Sequence, residues 1–315
     1  MEVRNLGNTG ISVSTLCYGA LPIGPLQADM PLREGAALIG YCLDRGVNFI
    51  DTAQVYKTYP YIREALRERR GTVVIATKAQ AADYRGMREA IEQAAAEMGV
   101  ERIDIMYLHA ARVTPGVFVE RREAIRCLCD AKAEGLIRAV GVSTHSVEVV
   151  RAAAEMAEID VIMPVVNIEG TGIVSGDLDD MVSAIERAAG NGKGVVAQKA
   201  LAGGHLIDRF REALEFVLRL PVSSVAVGML SRHEVDADIA VFEGRQVPEE
   251  TLSRIGKVNK SLRVQRFCKG CGTCERVCPN SAIKVFGGTA VVDGAKCILC
   301  GYCCPVCPEF ALRLA

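Results

Sequence analysis

Nine of the thirteen cysteines of this chain lie in its last fifty residues, and eight of these nine form one spacing pattern that occurs twice. Each run reads C-x2-C-x2-C-x3-C and is followed by proline, and each cysteine of the second run lies 29 residues after its counterpart. The match continues past the cysteines, because Ala282-Ile283-Lys284-Val285 corresponds to Ala311-Leu312-Arg313-Leu314. The tail is therefore a duplicated unit organised around thiolates. The eight cysteines are Cys268, Cys271, Cys274, Cys278, Cys297, Cys300, Cys303 and Cys307.

The spacing of these cysteines favours iron–sulfur clusters over zinc or disulfides. A loop with a thiolate at every third residue can wrap three corners of a cubane while its backbone N–H groups point at the sulfides. Zinc ribbons use two C-x2-C pairs rather than an eightfold repeat with Cys-Pro endings. Disulfide frameworks are typical of small secreted chains, and a chain of 315 residues is not of that kind. The sequence predicts two [4Fe–4S] clusters.

The tail resembles a bacterial two-cluster [4Fe–4S] ferredoxin over its whole length. In such modules the fourth thiolate of each cluster comes from the other run. Between the runs, two alternating segments flank Gly287-Gly288 and predict a short hairpin. Cys304 breaks the repeat and is given no role. The resemblance implies one cluster held by Cys268, Cys271, Cys274 and Cys307, and a second held by Cys297, Cys300, Cys303 and Cys278.

Residues 1–265 alternate short apolar runs with longer amphipathic stretches such as 87–95. Eight such units in roughly 230 residues predict an α/β fold, a (β/α)8 TIM barrel. Ahead of the first barrel strand, two short apolar segments flank Gly7–Gly10 and predict a hairpin that plugs the barrel floor. The predicted strands end near Gly19, Ile50, Thr77, Leu108, Val142, Val165, Gln198 and Val227.

Three segments are predicted from these patterns. Residues 1–245 form the barrel, residues 246–265 form a linker with a helix from Glu249 to Lys260, and residues 266–315 form a small α+β ferredoxin-like domain. A linker helix of this length, about 18 Å at 1.5 Å per residue, can return the chain from the barrel floor to its upper rim. The ferredoxin-like domain is therefore predicted beside the mouth of the barrel.

Four polar residues follow successive predicted strands, at the face where barrel enzymes do chemistry. Asp51 ends the second strand, Tyr56 lies in the loop after it, Lys78 ends the third strand and His109 ends the fourth. A tyrosine has an ordinary pKa of about 10. A lysine ammonium beside it favours the phenolate, and a carboxylate paired to the lysine holds that ammonium in place.

Here the chain resembles the aldo-keto reductases, over about residues 1–242. The opening Arg4-x-Leu6-Gly7-x-Thr9-Gly10 and the segment Gly141-Val142-Ser143 also look like that family. The resemblance implies that Tyr56 donates a proton to a carbonyl oxygen while hydride arrives at carbon, and that His109 orients the substrate or shares the proton transfer. Taken singly, Asp51 and Lys78 fit a rim salt bridge and His109 a buried core histidine. Tyr59 and Tyr61 lie nearby, but only Tyr56 has the family's spacing from Asp51.

The resemblance is weaker at the nicotinamide site. Thr144 stands where the family has asparagine, Met163 where it has glutamine, and Gln198 replaces the stacking aromatic. After the eighth strand, a glycine, a serine and an arginine match part of the family's phosphate-binding loop. The candidate residues for NADPH are Ser143, Thr144, Asn167, Gln198, Gly228, Ser231 and Arg232.

The clusters and NADPH transfer different numbers of electrons. Clusters transfer electrons singly, whereas NADPH transfers a hydride, which carries two electrons together. A flavin, a partner protein or a substrate that tolerates radicals must connect them. A glycine-rich Rossmann motif is missing, although FMN on the barrel loops stays open. Three hypotheses follow: an NADPH-linked reductase wired to a partner, a reductase fed by its own clusters, and a non-enzymatic electron-transfer subunit.

Composition limits the partners and the compartment. With 50% hydrophobic residues, 24% charged residues and a net charge of −1, the chain has no bulk attraction to nucleic acid or membrane. It has no apolar run long enough to span a bilayer, and its first residues do not form a signal peptide. Thirteen cysteines indicate a reducing cytoplasm and an anaerobic life. The expected partners are a small carbonyl substrate and a redox partner protein.

Overall fold

The computed structural model describes residues 1–67, 69, 73–111, 113–255 and 261–314. Within these ranges the chain forms a closed parallel barrel, a hairpin beneath it and a small C-terminal unit above it. None of the helices in the described part of the chain combines the length and the hydrophobicity needed to cross a bilayer.

The barrel is closed by eight parallel strands, with the last strand paired to the first. Their observed ends lie within two residues of every predicted end, so the (β/α)8 prediction is confirmed. The runs are short and almost wholly buried because helices cover the outside of a parallel sheet. The barrel strands are β3 (Leu16–Gly19), β4 (Phe49–Asp51), β5 (Val74–Ala79), β6 (Ile103–Ala110), β7 (Ile137–Thr144), β8 (Val161–Pro164), β9 (Gly194–Gln198) and β10 (Ser224–Val227).

Four of the barrel helices that the structure describes begin at a residue whose side chain accepts a hydrogen bond from a free backbone N–H group. Asp83 accepts a hydrogen bond from Gly86 N at the start of the helix Tyr84–Met98, and Asp177 forms a reciprocal capping box with Asp180 at the start of the helix Leu178–Gly190. The helices are α1 (Leu32–Asp44), α2 (Tyr59–Leu66), α3 (Tyr84–Met98), α4 (Val117–Glu120), α5 (Arg122–Ala133), α6 (Val147–Glu155), α7 (Leu178–Gly190), α8 (Phe210–Leu218) and α9 (Arg232–Phe242).

The N-terminal hairpin closes the barrel floor as predicted. It pairs β1 (Val3–Asn5) with β2 (Ser12–Ser14). The side chains of Leu6, Ile11 and Val13 are fully buried and pack against residues that line the barrel interior. Burial of these three aliphatic side chains contributes about 1.5–3 kcal/mol each, which fixes the bottom of the barrel and leaves the opposite end free for chemistry.

The C-terminal unit contains two small antiparallel sheets and a short helix, α11 (Thr273–Val277). The predicted hairpin is present as β12 (Ile283–Phe286) and β13 (Thr289–Val292), in which Phe286 pairs with Thr289. Gly287 and Gly288 have φ values of 57° and 78°. A two-residue loop with positive φ at both positions is the type I′ turn that matches strand twist, and glycine adopts it without strain.

The linker prediction needs correction. Its helix, α10 (Glu249–Leu252), ends well before the predicted end at Lys260, and residues 256–260 lie outside the described residues. The last predicted linker residues form β11 (Leu262–Val264), which pairs with β14 (Leu312–Leu314). The physical reason is that Leu262 and Val264 pack into the apolar cluster of the C-terminal unit. The three domain boundaries as a whole remain predictions.

Candidate active site and cluster cavities

The barrel brings Asp51 and Lys78 together as a buried ion pair, because β4 and β5 are neighbours and both side chains lie at their carboxyl ends. Lys78 Nζ lies 2.6 Å from each carboxylate oxygen of Asp51 and 2.8 Å from the carbonyl oxygen of Thr52. These partners use all three ammonium donors. Lys78 therefore acts on Tyr56 through its charge, with Nζ 5.3 Å from the Tyr56 ring centroid.

Tyr56 keeps its proton in this site. Burial raises the pKa of the Tyr56 hydroxyl, and the Lys78 ammonium opposes that shift without cancelling it. The Lys78 charge acts in the direction expected from the sequence, towards the phenolate, but desolvation outweighs it. The consequence is a phenol with its proton in place at neutral pH.

His109 is a neutral imidazole. Burial, followed by the Lys78 charge, lowers the pKa of His109 to about 3. Its Nδ1 is buried and has no hydrogen-bond partner among the residues that the structure describes. Nε2 faces the Tyr56 side of the site.

Stability is expected to fall as the pH drops from about 7.5 to 5.5. His145, like His109, is buried with its pKa lowered to about 3. Below the unfolded pKa of about 6.5 the unfolded chain binds protons that the folded chain does not, so each histidine weakens folding by about 1 kcal/mol over this window. Anaerobic urea unfolding of the wild type and of His145→Asn measures how the free energy of unfolding depends on pH. An equally steep pH dependence in the variant would contradict the assignment.

The neighbouring tyrosines are engaged elsewhere. The Tyr59 hydroxyl is 2.8 Å from Thr77 Oγ1, and Tyr61 donates to the carbonyl oxygen of Met30 at 2.7 Å. Of the three tyrosines in this segment, Tyr56 is the one stacked beside the Lys78 ammonium.

A residue of the second cysteine run lies inside this group of side chains. The Tyr302 hydroxyl is 3.2 Å from the Tyr56 hydroxyl and 3.3 Å from His109 Nε2. The three ring centroids are 6.0 to 6.3 Å apart. Tyr302 therefore fills the centre of the site formed by Asp51, Tyr56, Lys78 and His109.

The first part of the second run, residues 297–302, lies across the mouth of the barrel. Gln27 Nε2 in the loop after β3 donates to the carbonyl oxygen of Leu299 at 3.0 Å. In the loop after β9, His205 Nε2 lies 2.5 Å from the carbonyl oxygen of Cys297. These contacts confirm the prediction that the ferredoxin-like unit lies beside the mouth.

Gly203→Ala is expected to loosen this contact. A Cβ on Gly203 would lie 2.1 Å from the carbonyl oxygen of Ile298, and such overpacking costs about 1–3 kcal/mol. Hydrogen exchange of residues 297–303 should therefore quicken by about tenfold. Gly204→Ala is the matched control, because Gly204 also has positive φ but has open space around its Cβ position. Equal exchange rates in the two variants would contradict the proposed contact.

The cysteines surround two cavities. Backbone N–H groups of Ala282 and Ala311, which are equivalent in the repeat, donate to the sulfurs of Cys278 and Cys307 at 3.2 and 3.3 Å. Such bonds stabilise ligand thiolates and tune cluster potentials. The donor set fits two clusters with exchanged fourth ligands. Cys268, Cys271, Cys274 and Cys307 line the first cavity, and Cys278, Cys297, Cys300 and Cys303 line the second.

Sequence reasoning missed Tyr302, although the repeat contains a signal for it. Between its cysteines the first run has Lys269-Gly270 and Gly272-Thr273, whereas the second has Ile298-Leu299 and Gly301-Tyr302. An apolar loop in place of a polar one indicates burial, and both Ile298 and Leu299 are buried. Tyr302 stands at the position equivalent to Thr273.

Four of the predicted nicotinamide residues bond within the protein. Gln198 Nε2 donates to Ser143 Oγ at 3.0 Å and to the carbonyl oxygen of Met163 at 2.9 Å. Thr144 Oγ1 accepts from Ser146 N. Asn167 closes its own loop by bonding the backbone of residues 169 and 171. The structure brings Ser143 and Gln198 together, and their amide–hydroxyl bond uses groups that would otherwise face a ligand.

The predicted phosphate loop lies apart from these residues and is also engaged. Ser231 Oγ caps α9 by accepting from Glu234 N, and the Glu234 carboxylate accepts from Leu230 N at 2.6 Å. The Arg232 guanidinium lies 4.9 Å from the Tyr41 ring centroid. A Cβ on Gly228 would lie 2.4 Å from Pro22, so the glycine is needed for close packing. A carboxylate therefore already lies at this helix N-terminus.

Comparison with known proteins agrees with this architecture. The 6-dehydroglucose reductase of Novosphingobium aromaticivorans is 32% identical over 167 residues, which cover 45% of this chain and 51% of the relative. The alignment thus spans about half of that protein. L-galactose dehydrogenase of Arabidopsis thaliana is 23% identical, covering 84% of this chain and 96% of the relative. A Pseudomonas aeruginosa structure assigned to the aldo-keto reductases superposes with a TM-score of 0.67 at 28% identity, covering 77% of this chain and 95% of the other.

Family models match both parts of the chain. The 4Fe-4S dicluster domain matches residues 260–308 and the aldo/keto reductase family matches residues 15–213. Together with the closed barrel and the reductase and dehydrogenase relatives, these matches identify an oxidoreductase. The chain belongs to the aldo/keto reductase family and has a 4Fe-4S ferredoxin-like domain at its C-terminal end.

Proposed function

We propose that this oxidoreductase reduces a small carbonyl compound, with Tyr56 as the proton donor and with electrons drawn from the ferredoxin-like unit rather than from bound NADPH. The observation that supports it most is the contact of Tyr302 with both Tyr56 and His109. Tyr302 is two residues from Cys300, so the second cysteine run touches the site of proton transfer.

The side chains around Tyr56 suit this role. A buried phenol that holds its proton can release it to an oxygen on which negative charge develops. The Lys78 ammonium, fixed by Asp51, stabilises the phenolate that remains. The neutral His109 imidazole offers Nε2 to the same substrate oxygen.

Clusters held by the two cysteine sets would supply the electrons that nicotinamide supplies elsewhere in the family. Two [4Fe–4S] clusters, when bound, provide one electron each, which equals the two electrons of a carbonyl reduction. The apolar residues Ile298 and Leu299 exclude water between the second cavity and the barrel mouth. Conversion of R₂C=O to R₂CHOH then takes two electrons, one proton from Tyr56 to oxygen and one proton from solvent to carbon.

The residues expected to bind NADPH support this choice of electron source. Ser143 and Gln198 bond to each other, and Glu234 lies where a phosphate would bind. The loop after β9 is covered by Cys297 and Ile298. NADPH binding would require all of these contacts to open.

The test uses iron-replete protein whose clusters are reduced under anaerobic conditions and freed of excess reductant. Addition of an aldehyde should reoxidise the clusters and yield about one alcohol per two electrons withdrawn. Reduction that occurs only after NADPH is added would overturn the proposal.

The first cysteine run is proposed as the entry point for electrons from a one-electron carrier protein. Cys271 is exposed, and Phe267, Phe286 and Phe310 near this run are 54%, 79% and 72% exposed. Exposed aromatic side chains of this kind mark protein contact sites. Phe310→Ser should slow cluster reduction by a small ferredoxin several-fold, while reduction by dithionite, which needs no docking surface, stays unchanged. Equal rates with ferredoxin for variant and wild type would contradict this entry point.

A further inference from the structure

We propose that the Tyr302 phenol occupies the substrate position, and that the substrate is a flat carbonyl compound whose oxygen is conjugated with an aromatic or quinone-like ring. This inference rests on the proposed function for the identity of the site. It concerns what the site binds and requires no electron transfer.

The surroundings of the Tyr302 oxygen are those that a carbonyl oxygen needs. It lies within hydrogen-bond reach of the Tyr56 hydroxyl and of His109 Nε2. These are the two groups that would bind and protonate a substrate oxygen.

The surroundings of the Tyr302 ring are those of a slot for a planar group. The Tyr56 ring is tilted 33° to it, and the His109 ring meets it edge-on at 84°. Leu21, Leu26 and Ala53 complete an apolar cluster around these rings. Offset and edge-to-face neighbours favour another aromatic ring at the same place.

The cysteine spacing of the second run does not require a tyrosine at position 302. The first run has Thr273 at the equivalent position of the same C-x2-C-x2-C loop. The tyrosine is therefore a feature of the loop that lies on the barrel mouth. A conjugated substrate also suits an electron source that delivers electrons singly, because a ring spreads the unpaired electron.

While the Tyr302 side chain fills the site, a ligand can bind only to the fraction of molecules in which the site is open. The apparent affinity for the ligand is lowered by that fraction. Removing the occupant should remove this penalty. Tyr302→Thr is the variant of choice, since the chain already uses threonine in the equivalent loop. The measurement is anaerobic calorimetry of benzaldehyde binding to iron-replete wild type and variant, with cluster loading checked by visible absorbance.

Benzaldehyde is expected to bind Tyr302→Thr at least about tenfold more tightly than the wild type. The gain should be largely lost in Tyr302→Thr/Tyr56→Phe and should be smaller for cyclohexanecarbaldehyde, which has a similar size but no conjugated ring. Equal affinity in wild type and Tyr302→Thr would overturn the proposal, as would a gain that persists without the Tyr56 hydroxyl. A larger gain for the saturated aldehyde would overturn the ring assignment.

A second variant covers the case in which Tyr302→Thr does not load its clusters. Tyr302→Phe keeps the ring but removes the hydroxyl that bonds Tyr56 and His109. It should bind benzaldehyde about threefold more tightly than the wild type, and no gain would count against the proposal. Binding gains without reduction by the clusters would reject the proposed electron source and leave this inference standing.

Discussion

Tyr56→Phe is expected to lower the rate of carbonyl reduction by about 10²–10⁴-fold, the usual contribution of a positioned proton donor. The change removes one oxygen from a ring that remains packed among Leu21, Leu26 and Ala53. Iron content and thermal stability should therefore stay close to those of the wild type. Initial rates of alcohol formation, measured anaerobically with chemically reduced protein, test this expectation.

Tyr59→Phe is the matched control for Tyr56→Phe. It makes the same chemical change three residues away, where the hydroxyl bonds Thr77. Losing that buried bond should cost about 1 kcal/mol of stability and leave the rate unchanged. A rate loss in Tyr59→Phe comparable to that in Tyr56→Phe, or none in Tyr56→Phe, would remove Tyr56 from the proposed role.

Lys78→Met is expected to destabilise the barrel by about 3–5 kcal/mol, because it leaves the Asp51 carboxylate buried without its partner. Both side chains are almost fully buried, with exposed fractions of 1% for Lys78 and 6% for Asp51. The same change removes the cation proposed to stabilise the Tyr56 phenolate, so the reduction rate should fall as well. Anaerobic urea unfolding and initial rates measure the two effects separately.

The double variant Asp51→Asn/Lys78→Met separates stability from catalysis. With no buried charge left unpaired, most of the lost stability should return. The rate should stay low, because no ammonium lies beside Tyr56. Recovery of both stability and rate would show that the pair is only a structural salt bridge, the alternative that the sequence alone left open.

The barrel could be predicted because its signals are local. Each strand is a short apolar run, and the polar residue that ends it, such as Asp51 or Lys78, falls at a position set by the strand itself. The cluster cysteines could be predicted for a similar reason, since ligand spacing within a loop is fixed by the size of a cubane.

The features that could not be predicted depend on contacts between distant parts of the chain. Tyr302 contacts Tyr56, although the two residues are 246 positions apart in the sequence. No local sequence pattern predicts where the ferredoxin-like unit contacts the barrel. The net rise of the Tyr56 pKa could not be predicted either, because desolvation depends on what covers the mouth of the barrel. The linker was predicted to run to residue 265, but Leu262 and Val264 belong to β11, whose partner strand β14 lies about fifty residues later in the chain.

The most direct test of the proposed electron source is an anaerobic titration of iron-replete protein with NADPH. Calorimetry monitors binding in this titration, and the cluster absorbance monitors reduction of the clusters. We expect no saturable NADPH binding and no bleaching of the cluster absorbance, because Gln198 and Ser143 bond to each other and the loop after β9 is covered by Ile298. Saturable NADPH binding, with carbonyl reduction that runs on NADPH and leaves the clusters oxidised, would contradict the proposed electron source.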